Sequence, residues 1–249
     1  MKEVIFVLLN EFADWEGAFI AACLNQGVMP GSPVPYKVKT LSITKEPVSS
    51  IGGFRVLPDY DLKDMPEDYA GLILIGGMSW FSPEAELIAP LIEKAIKDKK
   101  VVGGICNASV FLAMHGFLNN VKHTSNTIDY LKQHVGERYT GDSNYVDQQA
   151  VRDGKIITAN GTGQLEFCRE ILYALEADTA EAIEKSYLFY KNGYDDTTVE
   201  DIITASKTSK GTFYHYFKSK EGLLNTLSYL LDIKIASYPN RQNIRRTSG

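Results

Sequence analysis

Strand-like and helix-like stretches alternate through the first 175 residues of the chain. Five segments have the length and apolar content of strands: 4–9, 36–43, 72–75, 101–105 and 155–159. Apolar residues take a helical spacing in the stretches between them: after residue 10, within 84–97, and over 108–117 and 164–175. A glycine pair within 46–57 predicts a hairpin. This alternation predicts an α/β fold, a mainly parallel sheet with helices on both faces.

A cysteine stands where the strand predicted at 101–105 runs directly into a helix. A nucleophile on such a strained turn needs small residues two positions to either side, and Gly104 and Ala108 meet this need. The free N–H groups and positive dipole end of the helix stabilise a thiolate, so we expect a lowered pKa for Cys106. The alternative is a cysteine that only packs at the end of a strand.

Two further loops should reach the same edge of the sheet. The first strand ends into residues 10–17, and the third ends into Gly76 and Gly77. Paired glycines allow backbone N–H groups to face a ligand, as an oxyanion hole requires. We therefore predict backbone donors at Gly76, Gly77 and Asn107, with a simple tight turn at the glycine pair as the alternative.

These segments together resemble the ThiJ/PfpI superfamily, a class I glutamine-amidotransferase-like group with a flavodoxin-like fold. The resemblance covers about residues 1–177 and rests on the glycine pair, the turn at 104–109, the acidic turn at 14–16 and the strand at 154–161. It implies a reactive Cys106 beside a buried, protonated Glu16 that hydrogen-bonds to the thiolate. The alternative for Glu16 is an exposed acid in the first turn of a helix.

The resemblance leaves the reaction open. Glutamine hydrolysis is not expected, because residues 161–166 lack the histidine of the amidotransferase His-x-Glu. His123 is the best candidate for a catalytic base, although a shift of one residue puts Thr124 at that position. Members of the superfamily act in peptide hydrolysis, glycation repair, isonitrile hydration, chaperone-like roles and redox sensing. No cofactor is implied, and no cluster has the spacing of a metal site.

A helical pattern follows a short polar joint. One helix is predicted to end at Asn192 and Gly193, a second begins after Thr197 or Thr198, and a third runs over 209–216. Two short helices joined by a tight turn form a helix-turn-helix, whose second helix enters the major groove of DNA. The alternative is a purely structural helical appendage.

Residues 193–202 and 209–221 resemble the DNA-binding domain of tetracycline-repressor-type regulators, over about 183–231. The resemblance implies that Phe213 and Phe217 pack inside. Lys207 departs from it, because a glycine usually holds that turn position. The resemblance implies two groups of residues that contact DNA. The phosphate-contacting group is Thr198, Tyr216 and Lys220. The base-reading group is Lys210, Thr212, Tyr214 and His215.

Charge separates the two parts of the chain. Residues 1–178 hold 16 basic and 23 acidic side chains, a net −7, whereas residues 179–249 hold 10 and 8, a net +2. We predict an α/β domain at 1–177, a joint at 178–182, a DNA-binding domain at 183–232 and a flexible tail at 233–249. A content of 44% hydrophobic and 23% charged residues excludes global disorder.

The sequence also bears on location. No apolar run approaches the roughly 18 residues of a membrane helix, and the N-terminal run is too short for a signal peptide. The three cysteines form no CxxC pair, which indicates reduced thiols. We therefore expect a cytoplasmic protein with no membrane partner.

Three functions follow from these patterns. The first is a homodimeric transcription regulator that binds double-stranded operator DNA and senses a small molecule or oxidant near Cys106. The second is a cysteine-dependent hydrolase, amidase or glycation-repair-type enzyme whose helical tail is incidental. The third, compatible with the first, is a thiol sensor in which Cys106 is oxidised to sulfinic acid before Cys23 or Cys168.

Overall fold

The computed structural model describes residues 1–29, 31–196, 198–205 and 208–223, and the chain divides into two units after Lys191. The predicted tail at 233–249 and the turn position Lys207 lie outside the described residues. No helix of the described residues has both the length and the apolar content needed to cross a membrane.

A six-stranded sheet forms the centre of the first unit, in the order β2-β1-β5-β6-β8-β7. Every neighbouring pair is parallel except β7 and β8, which are antiparallel at one edge. β3 and β4 make a separate antiparallel hairpin, as the glycine pair predicts. The strands are β1 (Lys2–Val7), β2 (Tyr36–Leu41), β3 (Val48–Ser49), β4 (Arg55–Val56), β5 (Gly71–Leu74), β6 (Val101–Ile105), β7 (Ala150–Asp153) and β8 (Ile156–Ala159).

Helices of the first unit cover both faces of this sheet, and two further helices belong to the second unit. In chain order the helices are α1 (Asp14–Gln26), α2 (Ala89–Lys97), α3 (Asn107–Met114), α4 (Ile128–His134), α5 (Gln164–Leu175), α6 (Ala180–Asp196), α7 (Val199–Ala205) and α8 (Lys210–Tyr216). Short 3₁₀ helices lie at Met78–Phe81, Pro83–Ile88 and Asp142–Asn144. Pro90 stands in the first turn of α2, where its missing N–H costs no helical hydrogen bond.

The core has two layers, because neighbouring side chains of a strand point to opposite faces of the sheet. Val4 and Phe6 of β1 pack into a layer with α1 and α5, whereas Ile5 and Val7 pack into a layer with α2, α3 and α4. Burial on both faces explains why these strands read as continuous apolar runs. The predicted α/β architecture is confirmed.

The first half of α6 packs onto the α/β unit. Ile183 and Tyr187 are buried there, and the Ser186 hydroxyl donates a hydrogen bond to the carbonyl of Val28 (2.9 Å). α6 is interrupted at Gly193, whose φ of 75° is left-handed and suits glycine. Residues 183–191, which the sequence analysis assigned to the DNA-binding domain, therefore lie in the first unit.

This packing predicts that α6 stabilises the α/β unit. Ile183→Ala removes a fully buried side chain and should lower the free energy of unfolding by about 2–5 kcal/mol, measured by urea denaturation. The matched control is Leu188→Ala on the same helix, where the side chain is exposed. Equal losses in the two variants would contradict the assignment of this half of α6 to the α/β core.

Candidate functional site

Cys106 occupies a strained corner between β6 and α3. Its backbone has φ 55° and ψ −128°, a sparsely populated combination for a residue with a side chain. The Cys106 N–H donates to Ala159 O (2.9 Å), and the Cys106 carbonyl accepts from Ser109 N (3.0 Å) and Ser109 Oγ (2.6 Å). A Cβ atom at Gly104 would lie 2.7 Å from Leu112 Cδ1. The turn therefore has the geometry of a nucleophile elbow.

Glu16 lies next to this cysteine, in the first turn of α1. Its side chain is only 1% exposed, and Oε2 accepts a hydrogen bond from Gly76 N (2.8 Å). Oε1 is also buried and has no hydrogen-bond partner of good geometry among the described residues. Burial raises the pKa of Glu16 to about 7, because the charged form loses its hydration. The alternative of an exposed acid is therefore wrong.

The pKa of the thiol departs from the expectation. Burial and the neighbouring charge of Glu16 raise the pKa of Cys106 to about 11. Hydrogen bonds from the Asn126 side chain and the Asn107 N–H act in the opposite direction but are outweighed. The predicted lowering was wrong, since the start of a helix cannot offset desolvation beside a carboxylate. Of the two groups, the Glu16 carboxyl is the one with the lower pKa.

Asn126 is a site residue that the sequence reasoning missed. Its Oδ1 accepts from Gly161 N (2.9 Å), which turns Nδ2 toward Cys106 Sγ (3.5 Å) and Asn107 Oδ1 (3.4 Å). An amide donates to sulfur but accepts no proton at neutral pH. The only signal in the sequence is its place after His123, Thr124 and Ser125.

His123 is fully buried in a second network. Nδ1 pairs with Val121 O and Nε2 with Tyr139 OH, both at 2.8 Å, and burial lowers the pKa of the ring. Thr124 donates from Oγ1 to Gln148 O (2.9 Å). Neither residue has a free group for the thiol, so these contacts give no support to the predicted base.

One N–H of the glycine pair has a different use from the predicted one. The Gly76 N–H already donates to Glu16, so it is not a free donor for an oxyanion. At Gly77 the backbone passes close to that of Glu11, since a Cβ atom on Gly77 would lie 2.5 Å from Glu11 O. Its carbonyl accepts from Asn107 Nδ2 (3.2 Å). Of the three predicted backbone donors, Asn107 N–H is the one that points at the sulfur.

Exposed apolar side chains border the site. Trp15 Nε1 donates to Gly161 O (3.1 Å), and Met78 Sδ lies 3.4 Å from Asn107 Nδ2. A Cβ atom at Gly161 would come within 3.1 Å of Cys106 Sγ, so the glycine leaves the sulfur accessible from this side. The arrangement combines one thiol, one carboxyl that titrates near neutrality and an apolar rim.

The second unit contains the two helices expected of a helix-turn-helix. Thr198 precedes α7 and exchanges hydrogen bonds with Asp201 (Oγ1 to Oδ2, 2.6 Å). Ser209 caps α8 by accepting from Thr212 N (3.0 Å). These side chains satisfy N–H groups at the start of each helix, which explains where the helices begin. Thr197, the other predicted cap, lies outside the described residues.

α8 exposes every residue except one. Phe213 is 4% exposed, and its ring centroid lies 5.5 Å from that of the half-buried Phe217, as predicted. Lys210 forms an ion pair with Glu200 of α7. Lys220 lies in the helical residues that follow. The remaining predicted DNA contacts on α8 are all exposed: Thr212, Tyr214, His215 and Tyr216.

A model of the DJ-1/PfpI family matches residues 2–174. The chain belongs to the DJ-1/PfpI family. A model of the tetR family of bacterial regulatory proteins matches residues 187–227, so a TetR-type helix-turn-helix follows the DJ-1/PfpI domain. Both predicted resemblances are confirmed.

Individual relatives agree with this division. A Bacillus subtilis protein named uncharacterized protease YdeA is 38% identical over 194 residues, which are 78% of this chain and 92% of the relative. The crystal structure of a thiJ/pfpI family protein from Bacillus anthracis is 33% identical, with a TM-score of 0.72 over 76% of this chain and 90% of that one. The regulator QacR of Staphylococcus aureus is 53% identical over 36 residues, which are 14% of this chain and 19% of QacR.

The DJ-1/PfpI domain holds the thiol of Cys106 beside the carboxyl of Glu16. Within the part of the chain that the structure describes, no three His, Cys, Asp or Glu side chains come together as a metal site requires. On attack at an electrophile, the sulfur can pass its proton to the Glu16 carboxylate.

This pairing predicts a pH dependence for alkylation of Cys106. The rate with iodoacetamide, followed by peptide mass spectrometry, should rise as the pH passes about 7, because ionised Glu16 then accepts the thiol proton. Glu16→Gln should lose this inflection and keep only a limb at higher pH. Asp129→Asn, which changes an exposed acid, serves as the control. An inflection near pH 7 that persists in Glu16→Gln would rule out Glu16 as the acceptor.

Proposed function

We propose that the chain is a transcription regulator in which the TetR-type domain binds operator DNA and the DJ-1/PfpI domain binds an effector at Cys106. The observation that carries the proposal is α8, which is anchored by Phe213 alone and turns its other side chains outward. A helix that only packed against its neighbours would bury a full apolar stripe.

The proposed DNA contacts follow from the exposed groups. The base-reading group on α8 would meet base edges in the major groove, and the phosphate-contacting group would fix its register. Lys210 now pairs with Glu200, so binding exchanges this surface ion pair for a contact with DNA. Both side chains of this pair are exposed, where water and salt screen their attraction, so its loss costs little.

The proposed assembly is a homodimer. One helix-turn-helix reads a single half-site, and paired half-sites lie about 34–36 Å apart, one turn of the DNA helix. The surplus of two positive charges in residues 179–249 is small. Two copies on one operator would double the phosphate contacts that this charge supplies.

The proposed effector is a small electrophile or oxidant. Asn126 Nδ2 and the Asn107 N–H both approach Cys106 Sγ, so they can stabilise negative charge that develops on sulfur or on an oxygen bound to it. The apolar rim formed by Trp15 and Met78 favours an uncharged ligand.

The regulator proposal predicts salt-dependent DNA binding. The full chain should select a palindrome from a random duplex pool, and its affinity should fall as salt rises. Lys220→Met, which removes a lysine of the phosphate-contacting group, should weaken binding and reduce the slope of log affinity against log salt by about 1. Lys63→Met, an exposed lysine of the first unit, should change neither. A full chain that shows no salt-sensitive binding would eliminate the proposal.

A cysteine-dependent hydrolase is the second candidate. The strained elbow and buried Glu16 favour it, and the relative YdeA bears the name of a protease. This candidate predicts turnover of activated esters, peptides or glycated substrates that disappears in Cys106→Ser. Equal turnover by the two proteins would remove it.

A further inference from the structure

Two cysteines that are far apart in sequence meet in one layer of the core. Cys23 lies on α1 and Cys168 on α5, two helices that pack against each other. The side chains of Cys23 and Cys168 lie close enough to interact directly. Cys23 is 8% exposed and Cys168 is 1% exposed, so solvent reaches the pair from the side of Cys23. Both thiols are free in this structure.

We propose that Cys23 and Cys168 are a second oxidation site, which peroxide converts into a reversible disulfide between α1 and α5. The site is separate from Cys106 and does not depend on DNA binding. It rests on the meeting of two thiols from facing helices, a geometry that neither cysteine has alone.

The chemistry assigns a different role to each cysteine. Cys23 is the more exposed of the two thiols, so peroxide reaches it before Cys168. Cys23 is therefore the nucleophile toward peroxide. Its thiolate attacks one peroxide oxygen, the O–O bond breaks, and the products are a Cys23 sulfenic acid and hydroxide.

The second step closes the bond. The Cys168 sulfur attacks the Cys23 sulfur, the S–O bond breaks, and the leaving hydroxide takes the Cys168 proton to form water. The balance is two thiols and one hydrogen peroxide giving one disulfide and two waters. The sulfurs lose two electrons, and the peroxide gains them.

The bond would fix the platform on which α6 packs. Ser186 of α6 hydrogen-bonds to Val28, just beyond α1, and the ring of Tyr190 lies 4.6 Å from that of Phe19 on α1. On the other side, Tyr187 OH donates to Glu166 of α5 (2.9 Å). α6 thus contacts both helices that the disulfide would join.

The test uses the full chain and hydrogen peroxide. After stepwise oxidation, acid quenching and alkylation, digestion without reductant should give one cross-linked peptide pair that contains Cys23 and Cys168. Cys23 and Cys168 should both resist alkylation of the denatured chain, whatever the state of Cys106, and dithiothreitol should restore both. The chain should remain a monomer on a non-reducing denaturing gel, because the bond lies within one chain.

Three variants sharpen the result. Cys106→Ser should keep the cross-link, whereas Cys23→Ala and Cys168→Ala should each abolish it, with folding checked by circular dichroism. The wild-type measurement decides the matter even if a variant fails to fold. Oxidation of Cys106 while Cys23 and Cys168 both stay open to alkylation would overturn the proposal, as would a disulfide that forms only between chains or includes Cys106.

Discussion

The buried carboxyl of Glu16 is the group on which the arrangement at the carboxyl edge of the sheet depends. It sits on the helix after β1, accepts the N–H that follows β5, and faces the cysteine that follows β6. Burying a carboxyl is costly unless partners offset the lost hydration, and Gly76 supplies one such partner. A Cβ atom at Gly76 would lie 2.3 Å from Glu16 Oε2, and one at Gly161 would lie 3.3 Å from Oε1. Both glycines thus leave room for the carboxyl of Glu16 and the side chain of Cys106.

The sequence predicts the layered architecture well, because the chemistry of each strand is local. Runs such as 101–105 are apolar throughout, and the small residues around Cys106 predict the elbow that follows. β7 was not predicted, because Ala150–Asp153 holds only two apolar residues and lies at an edge where one face needs no burial. The helix at 128–134 is short and also escapes the pattern, although Thr127 caps it.

Other features depend on contacts that no local pattern encodes. Asn126 matters because the N–H of Gly161, 35 residues away, fixes its amide. The pKa of Cys106 follows from burial and from Glu16, whereas the local sequence shows only the start of a helix. Cys23 and Cys168 come together because the sheet brings their two helices together. Their spacing along the chain forms no motif that would predict this. His123 illustrates the reverse error, since a histidine near a predicted site can belong to a neighbouring hydrogen-bond network.

The interruption of α6 at Gly193 also says something about how such a fusion is put together. The DJ-1/PfpI family match ends at residue 174, yet Ile183, Ser186 and Tyr187 are buried against that domain. The same helix lies partly within the match to the tetR family, which begins at residue 187. The match to the tetR family therefore begins inside a helical stretch that belongs to the first unit. An exchange of the helix-turn-helix between related fusions would leave the α/β core intact if the new segment began after Lys191, beyond the buried residues of α6.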